Sequence, residues 1–502
     1  MASLLKNSAA NAVGLAGPAI AQLVTLPFIV RALGDTDFGI YALVMAIVGY
    51  FAFLDINLTV GAVKFIAEYD SLDKRKEVNQ VVTLGLGFYT AIGLVGAVLI
   101  FALAEPLVTR FFTMPREHQS LAVDATRLAA LGFLFGQLES FLTGVAQGMR
   151  RFTVSAAMQI AAGVLTPVLT VLVLWLGYGL IEVIALRVVL AFLGVVVLLA
   201  ITRKLIPHLR LVAPGMQTLR QVGSFSAFAY FSTVASIIYF QADKLIIGAL
   251  IGVAALPYYV IPFTLASRLM GLTFRMAHVI YPEASRLGAM KQFDRLAEVY
   301  FSATRYIFFA NVYLLLLIGL FGHEILHYWM GPEYAEKGTP IMVLILCALI
   351  VDSTTNIPSM VNDGLGHPKV TGFFALGRAA TGLALIAAGT WAGGIVGAAV
   401  GQLVTFTLYA AALLAFVHGR TVPFRLRDLL VRSYVPILLP AAALGAAVLL
   451  LRPAAPLGIW SFVVLATAVV TAWTIYGLVY VLQPHDAAAL QTLIRRRLRG
   501  QS

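Results

Sequence analysis

LGDTDFGIYALVMAIVGYFAFLDINLTVGAVKFIAEYDSLDKRKEVNQV, Leu33–Val81, is the stretch whose reading decides the fold. It opens on a glycine-bearing turn, continues as an apolar run from Ile40 to Ile66, and closes on a charged segment from Glu68 to Glu77. That order reads as the outer turn of a helical hairpin, a long membrane helix and a charged return loop. The plan reappears 218 residues on, from IGVAALPYY at Ile251 to the apolar re-entry at Val299. Gly34 and Tyr41 fall on Gly252 and Tyr259, and the charge run starting at Glu68 falls on the one starting at Arg286. Two identities carry little in so apolar a chain. Turn, helix length, charge run and re-entry point agree together, and that predicts an internal repeat and two lobes.

Composition agrees with a membrane solvent. The 502 residues are 60% hydrophobic and 12% charged, with a mean hydropathy of +0.91, which leaves too little polar surface for an ordinary soluble protein. Apolar blocks of about twenty residues match the helix length that crosses a hydrocarbon core, so the expected class is an all-α polytopic membrane protein. The net charge of +12 recurs at intervals and forms no single patch, which argues for topology signals and against nucleic acid. Cys347, the single cysteine, sits in an apolar run where packing is the expected role. The N-terminal MASLLKNSAANAVGLAGPAIAQ exceeds a signal-peptide core and is read as the first span.

Expected spans, each to within a few residues, are 9–33, 38–64, 80–104, 121–148, 152–177, 180–202, 222–250, 256–282, 299–327, 339–363, 368–391, 394–417, 432–452 and 459–483. One set of alternate loops carries Lys6, Lys74–Lys76, Arg150, Arg151, Arg203–Arg220, Arg286–Arg295, Lys369, Arg420–Arg432 and Arg495–Arg499; the other carries Arg31, Arg110, Arg116, Lys337 and Arg452. Positive residues are retained in the cytoplasm, which predicts both termini inside. The organisation expected is an N-terminal lobe over 1–215, a C-terminal lobe over 216–419, and an accessory helix pair with a basic tail over 420–502. No loop is long enough for an appended catalytic domain, so no enzyme is expected.

An ionisable residue near the bilayer centre costs about 2.5–3.5 kcal/mol on insertion scales and needs a partner, a watery cavity or a function. Thr264, Arg268 and Arg275 are spaced by four and then seven residues on the eighth expected helix, which puts them on one face. Arg378 lies near the midplane, with Arg187, Arg127 and Arg305 nearer a surface. The acids are Asp55, Glu139, Asp243 and Asp352, with Lys64 and Lys244 as available partners. Two readings stand side by side. Arginines facing an interior suit a diphosphate, whose oxygens a guanidinium fork matches; equally, snorkelled or paired heads serve packing, and Asp352 with Arg378 at similar depth suits an ion pair. There is no Walker loop or paired-cysteine motif. His323, Glu324 and His327 lack a second helix-borne cluster, so neither a metal nor another cofactor is expected.

These residues also carry a resemblance. VRALGDTDFGIYALVMAIVGYFAFLDINLTVGAVKFIAEYD from Val30 is similar to the N-terminal signature of bacterial polysaccharide and O-antigen flippases, in the multidrug/oligosaccharidyl-lipid/polysaccharide exporter superfamily. LTGVAQGMRRF from Leu142, FQADKLIIGALIGVAALPYYV from Phe240, YPEASRLGAMKQFDRLAEVY from Tyr281, FGHEILHYWMGPEYAEKGTPIMVLIL from Phe321 and GLGHPKV from Gly364 extend it over most of the chain. Asn57 departs from the pattern, standing where glycine often follows the Asp55 position.

The resemblance implies fourteen helices in two six-helix lobes about a central cavity, in the bacterial inner membrane. It implies alternating access that carries an undecaprenyl-diphosphate-linked oligosaccharide to the outer leaflet for capsule, exopolysaccharide or O-antigen assembly. Cavity cations would hold the diphosphate; Arg268, Arg275, Arg378, Arg187 and Arg127 are the candidates. Coupling to a proton or sodium gradient or to the membrane potential would fall to Glu139, Asp352, Asp55 or Asp243. Expected partners are the lipid-linked oligosaccharide, membrane lipids and other polysaccharide assembly proteins. A lipid II flippase, a multidrug/cation antiporter and a membrane-embedded polymerase are the competing readings.

Overall fold

A computed structural model describes residues 2–216, 218, 221–222, 230, 241–277, 280–452 and 457–482, without the side chains of 2–16, 269, 272, 274–276 and 451. All regular structure among the described residues is helical. The helices are α1 (Ala2–Tyr50), α2 (Leu58–Ser71), α3 (Arg75–Phe111), α4 (Arg116–Gly148), α5 (Phe152–Trp175), α6 (Leu180–Leu205), α7 (Leu256–Ala277), α8 (Ile280–Ala289), α9 (Phe293–Trp329), α10 (Pro332–Ser353), α11 (Asn356–Gly364) and α12 (Pro368–Arg420). Two more, α13 (Leu426–Leu450) and α14 (Ile459–Val481), follow, and residues 241–250 are helical as well.

Among the described residues, ten helical stretches are long and apolar enough to cross a membrane. Two of these are double. One is interrupted at Gly34, the other at Gly393 and Gly394, so the ten account for twelve of the fourteen expected spans. Of the other two, 222–250 lies largely outside the described residues and 256–282 corresponds to α7. Around the second interruption the two halves of α12 approach so closely that a Cβ on Gly389 or Gly397 would stand 2.2 or 1.9 Å from the other's carbonyl oxygen.

Chain contacts divide the protein into two compact units, Ala9–Pro257 and Tyr258–Ser502, the latter taking Met1–Ser8 as well. The segment 241–257, assigned from sequence to the second lobe, groups with the first unit for identifiable reasons. The Thr113 amide donates to the Gly248 carbonyl (3.1 Å), the Val253 amide donates to the Thr113 carbonyl (3.1 Å), and the Val253 carbonyl fills the space above Gly39. In the first unit, Tyr89 and Phe141 stack at 5.3 Å in a core shared by α2, α3 and α4, and Gly85 leaves room for the Phe141 ring.

The repeat read from the sequence has a structural counterpart at the same offset of 218. Gly34 (φ 73, ψ 171) and Gly252 (φ 124, ψ 163) both occupy a region essentially closed to residues with a Cβ. Asp73 (φ 50) and Lys291 (φ 57) both turn left-handed two residues before a long helix, and those helices, α3 and α9, start at 75 and 293 and are each 37 residues long. The helices before them, α2 and α8, end at 71 and 289. Tyr41 and Tyr259 likewise both use their hydroxyls at long range, with Arg187 of α6 and with Gln402 in the second half of α12.

Two expectations need correction. The span 38–64 is not one helix. It ends in a 3₁₀ turn at Phe51–Leu54 and restarts at Leu58. The break is held by side chains: the Asp55 carboxylate accepts the Asn57 amide (2.8 Å) and the Tyr89 hydroxyl (2.8 Å), while the Thr59 amide and hydroxyl donate to Tyr89 (3.0 and 2.8 Å). Asn57 takes φ 57, ψ 38, the left-handed conformation that asparagine tolerates better than other residues with a Cβ, so it stands in for the glycine of the resembling pattern. The charged return loop is also shorter than 68–77, because α2 stays helical through Ser71. We expect Asn57→Gly to leave thermal stability nearly unchanged and Asn57→Val, which cannot adopt that conformation cheaply, to cost about 1–2 kcal/mol in a detergent unfolding assay.

Charges beyond the apolar stretches behave as solvated pairs. Glu283 on α8 accepts two bonds from Arg286 (2.7 and 3.0 Å), which hold its carboxyl below the usual carboxylate range. Both groups are exposed enough for solvent to screen most of the gain.

Candidate functional site

Most of the ionisable residues inside apolar helices are partnered within their own unit. Arg378 of α12 donates from Nη1 to Asp352 Oδ1 of α10 (2.9 Å), and its guanidinium lies over the rings of Tyr409 (4.7 Å) and Phe406 (5.6 Å). The side chains are 13% and 22% exposed. An acid, a base and two aromatic faces meet here, the ion pair that matched depth offered in the sequence.

Arg127 of α4 pairs with Glu105 of α3 at 3.1 Å and lies against Phe101 (5.3 Å), but Glu105 is two-thirds exposed, so the pair is superficial. Arg187 of α6 donates to the Tyr41 hydroxyl at 2.8 Å and stands over that ring at 5.8 Å. No acid pairs with it among the described residues, which leaves part of its fork for another acceptor.

Among the acids, Asp243 is buried and holds Lys244 at 3.1 Å. Asp55 is used by the break between α1 and α2, as described. Glu139 of α4 is different. Its carboxyl lies against Gly194 of α6, where a Cβ would stand 3.0 Å from its Cδ, and it is only partly shielded from solvent. No ion pair forms there among the described residues. A carboxyl seated in a glycine notch between two apolar helices, without a cation beside it among the described residues, has nothing there to offset the cost of its charge. Glu139→Gln is expected to flatten the pH or ion dependence of transport while leaving folding intact; an unchanged profile in vesicles assigns Glu139 to packing.

Arg268 lies exposed on α7 and enters no ion pair among the described residues. The helix is continuous from Leu256 to Ala277, so Arg275 follows on the same face by helical geometry; its side chain lies outside the described residues. The structure therefore separates Arg268 from Arg378 and Arg127, which it pairs with carboxylates, and from Arg187, which it gives a tyrosine.

Sequence reasoning missed the roles of Tyr41 and Tyr89, whose hydroxyls anchor Arg187 and Asp55. It also missed the clamp of Glu324 by Arg452, in which Glu324 is 1% exposed. The one signal available for Glu324 was an acid next to an apolar span end.

A family model described as polysaccharide biosynthesis protein matches residues 4–287, more than half of the chain. A Shigella flexneri protein whose name marks it as a candidate O-antigen transporter is 22% identical over 415 residues, covering 82% of this chain and 97% of its own. An inward-facing multidrug resistance transporter of the MATE family, in the MOP superfamily, superposes with a TM-score of 0.67 at 15% identity, over 82% of this chain and 96% of its own. The lipid II flippase MurJ in an inward closed conformation superposes with a TM-score of 0.61 at 13% identity, over 88% and 98%.

Proposed function

Because the chain belongs to the polysaccharide biosynthesis protein family, we propose that it moves an undecaprenyl-diphosphate-linked oligosaccharide from the cytoplasmic to the outer leaflet by alternating access. It is a multi-pass membrane transporter with the fold of the MOP superfamily, and not an enzyme. The cargo serves capsule, exopolysaccharide or O-antigen assembly, a reading supported by the name of the Shigella flexneri relative. Both termini face the cytoplasm of the bacterial inner membrane, and two lobes act together with an accessory hairpin and basic tail over 420–502.

The observation that carries this reading is Arg268, a mid-helix guanidinium left exposed and without an ion pair among the described residues. Such a group favours an anion over a cation, because a diphosphate leaving water needs charge-assisted donors to replace its hydration. The same argument counts against a cation antiporter. Lipid II carries the same diphosphate chemistry and stays as the second reading, supported by the likeness of fold to MurJ. Arg268 and Arg275 engage the diphosphate, Arg187 assists, and Glu139 couples transport to a proton or sodium gradient.

The test is reconstitution into vesicles with labelled lipid-linked oligosaccharides, following leaflet exchange with and without an ion gradient. Exchange of the oligosaccharide carrier above the protein-free rate is expected. Exchange of lipid II alone, or of cationic drugs alone, overturns the reading.

A further inference from the structure

Arg305 is the only charge on α9 between Glu298 and Glu324, about 10 Å along the helix past Glu298. Its Nε and Nη2 atoms are shut away from solvent and donate to no hydrogen-bond partner among the described residues. The Tyr306 ring lies 5.6 Å from the guanidinium carbon. A partly buried guanidinium with two idle donors is costly, so what surrounds it matters.

Phe301, Arg305 and Phe308 recur at four and then three residues and share one face of α9. Against that face runs the first part of α13, where Leu430–Tyr434 is wound as a π-helical turn. The Ser433 hydroxyl donates to the Phe301 carbonyl (3.0 Å), and the Tyr434 ring meets Phe308 edge-on at 4.7 Å. These two contacts bracket Arg305. They also bring in a second cation, for the Arg432 guanidinium lies over the Phe301 ring at 5.4 Å. Arg432 is exposed on its outer side. The two acids within reach in the chain, Glu298 one turn before Phe301 and Asp428 four residues before Arg432, pair with neither arginine among the described residues.

Arg305 on this face of α9 and Arg432 over Phe301 bring two guanidiniums to one seam with no paired carboxylate among the described residues, an arrangement that a bound anion stabilises. We infer that the seam between α9 and the π-turn of α13 binds the phosphodiester headgroup of an anionic phospholipid through Arg305 and Arg432. The phosphate accepts the idle Arg305 donors, and Arg432 closes it from the outside. A π-turn is an uncommon local winding that often marks a functional site; here it sets Arg432 and Ser433 against the same residue of α9. The apolar outer ridge of α13, with Val431, Val435, Leu438 and Leu439 all exposed, continues from the seam and suits the acyl chains. The lipid thereby fastens the C-terminal helix pair to its unit. This inference does not depend on which substrate is transported.

The test is native mass spectrometry of the delipidated full-length protein titrated with phosphatidylglycerol, with phosphatidylethanolamine and with undecaprenyl phosphate. Wild-type protein is expected to retain phosphatidylglycerol in preference to phosphatidylethanolamine. Arg305→Gln with Arg432→Gln is expected to bind it about tenfold or more weakly, the loss expected for charge-assisted hydrogen bonds, and Arg305→Lys is expected to recover part of the affinity. Should Arg305→Gln fail to fold, Arg432→Gln, which alters an exposed group, shows the same direction of change. Equal retention of phosphatidylglycerol by wild type and variants overturns the site. Loss of undecaprenyl phosphate binding with phosphatidylglycerol unchanged overturns the phospholipid assignment.

Discussion

Leaflet exchange of lipid-linked oligosaccharide is expected to fall to the protein-free rate when Arg268→Ala is combined with Arg275→Ala, with membrane insertion and the thermal midpoint unchanged. Arg268 lies exposed on α7 and makes no ion pair among the described residues, so its removal leaves no carboxylate stranded. Losing two charge-assisted contacts to a diphosphate amounts to about 3 kcal/mol or more, a hundredfold or more in rate if the contacts form during passage. Arg378→Ala makes an informative contrast. It leaves Asp352 without its cation, so its effect should appear in the thermal midpoint as well as in flux. Undiminished exchange by the double variant, measured with fluorescently labelled carrier in vesicles, eliminates the α7 stripe as the headgroup site.

Arg452→Ala is expected to be the most destabilising of the substitutions considered, at about 3 kcal/mol, the lower end for breaking a buried pair from one side. Arg452 donates to the carboxylate of Glu324 and to the Leu320 carbonyl (2.5 Å), and the Leu457 amide lies 3.4 Å from the same carboxylate. Glu324 is 1% exposed while Arg452 is 21% exposed, so the variant strands the buried partner. Tyr328, whose hydroxyl donates to the Leu457 carbonyl (2.9 Å), then holds the link between α13 and α14 to α9 with less help. Glu324→Leu combined with Arg452→Leu should recover most of the loss, because a packed apolar pair carries no desolvation penalty. Differential scanning fluorimetry in detergent reads both variants; a double variant no better than Arg452→Ala would show that the clamp works through shape and not charge.

The spans and the repeat were legible because each leaves a local trace. An apolar run of about twenty residues is visible without knowing what it touches, and Gly34 and Gly252 mark the same joint because few other residues fit it. The Asp352–Arg378 pair was legible as one of two options from matched depth alone. The break at 55–57 was only half legible: Asn57 flagged an oddity, but nothing nearby in the chain announced Tyr89, 34 residues from Asp55. Arg187 and Tyr41 are separated by 146 residues, and Arg452 and Glu324 by 128. No window along the chain contains both members of either pair.

Length, hydropathy and loop charge determined by themselves that this chain is an all-helical membrane protein built on a repeat, since bilayer thickness constrains each segment one at a time. Which charges are spent on holding helices together was decided only by the tertiary structure. Pairing depends on separations of a few ångströms and on exclusion of water, and both arise only when distant helices pack: Arg378 and Glu324 find partners, Arg268 stays exposed, and Arg305 keeps idle donors.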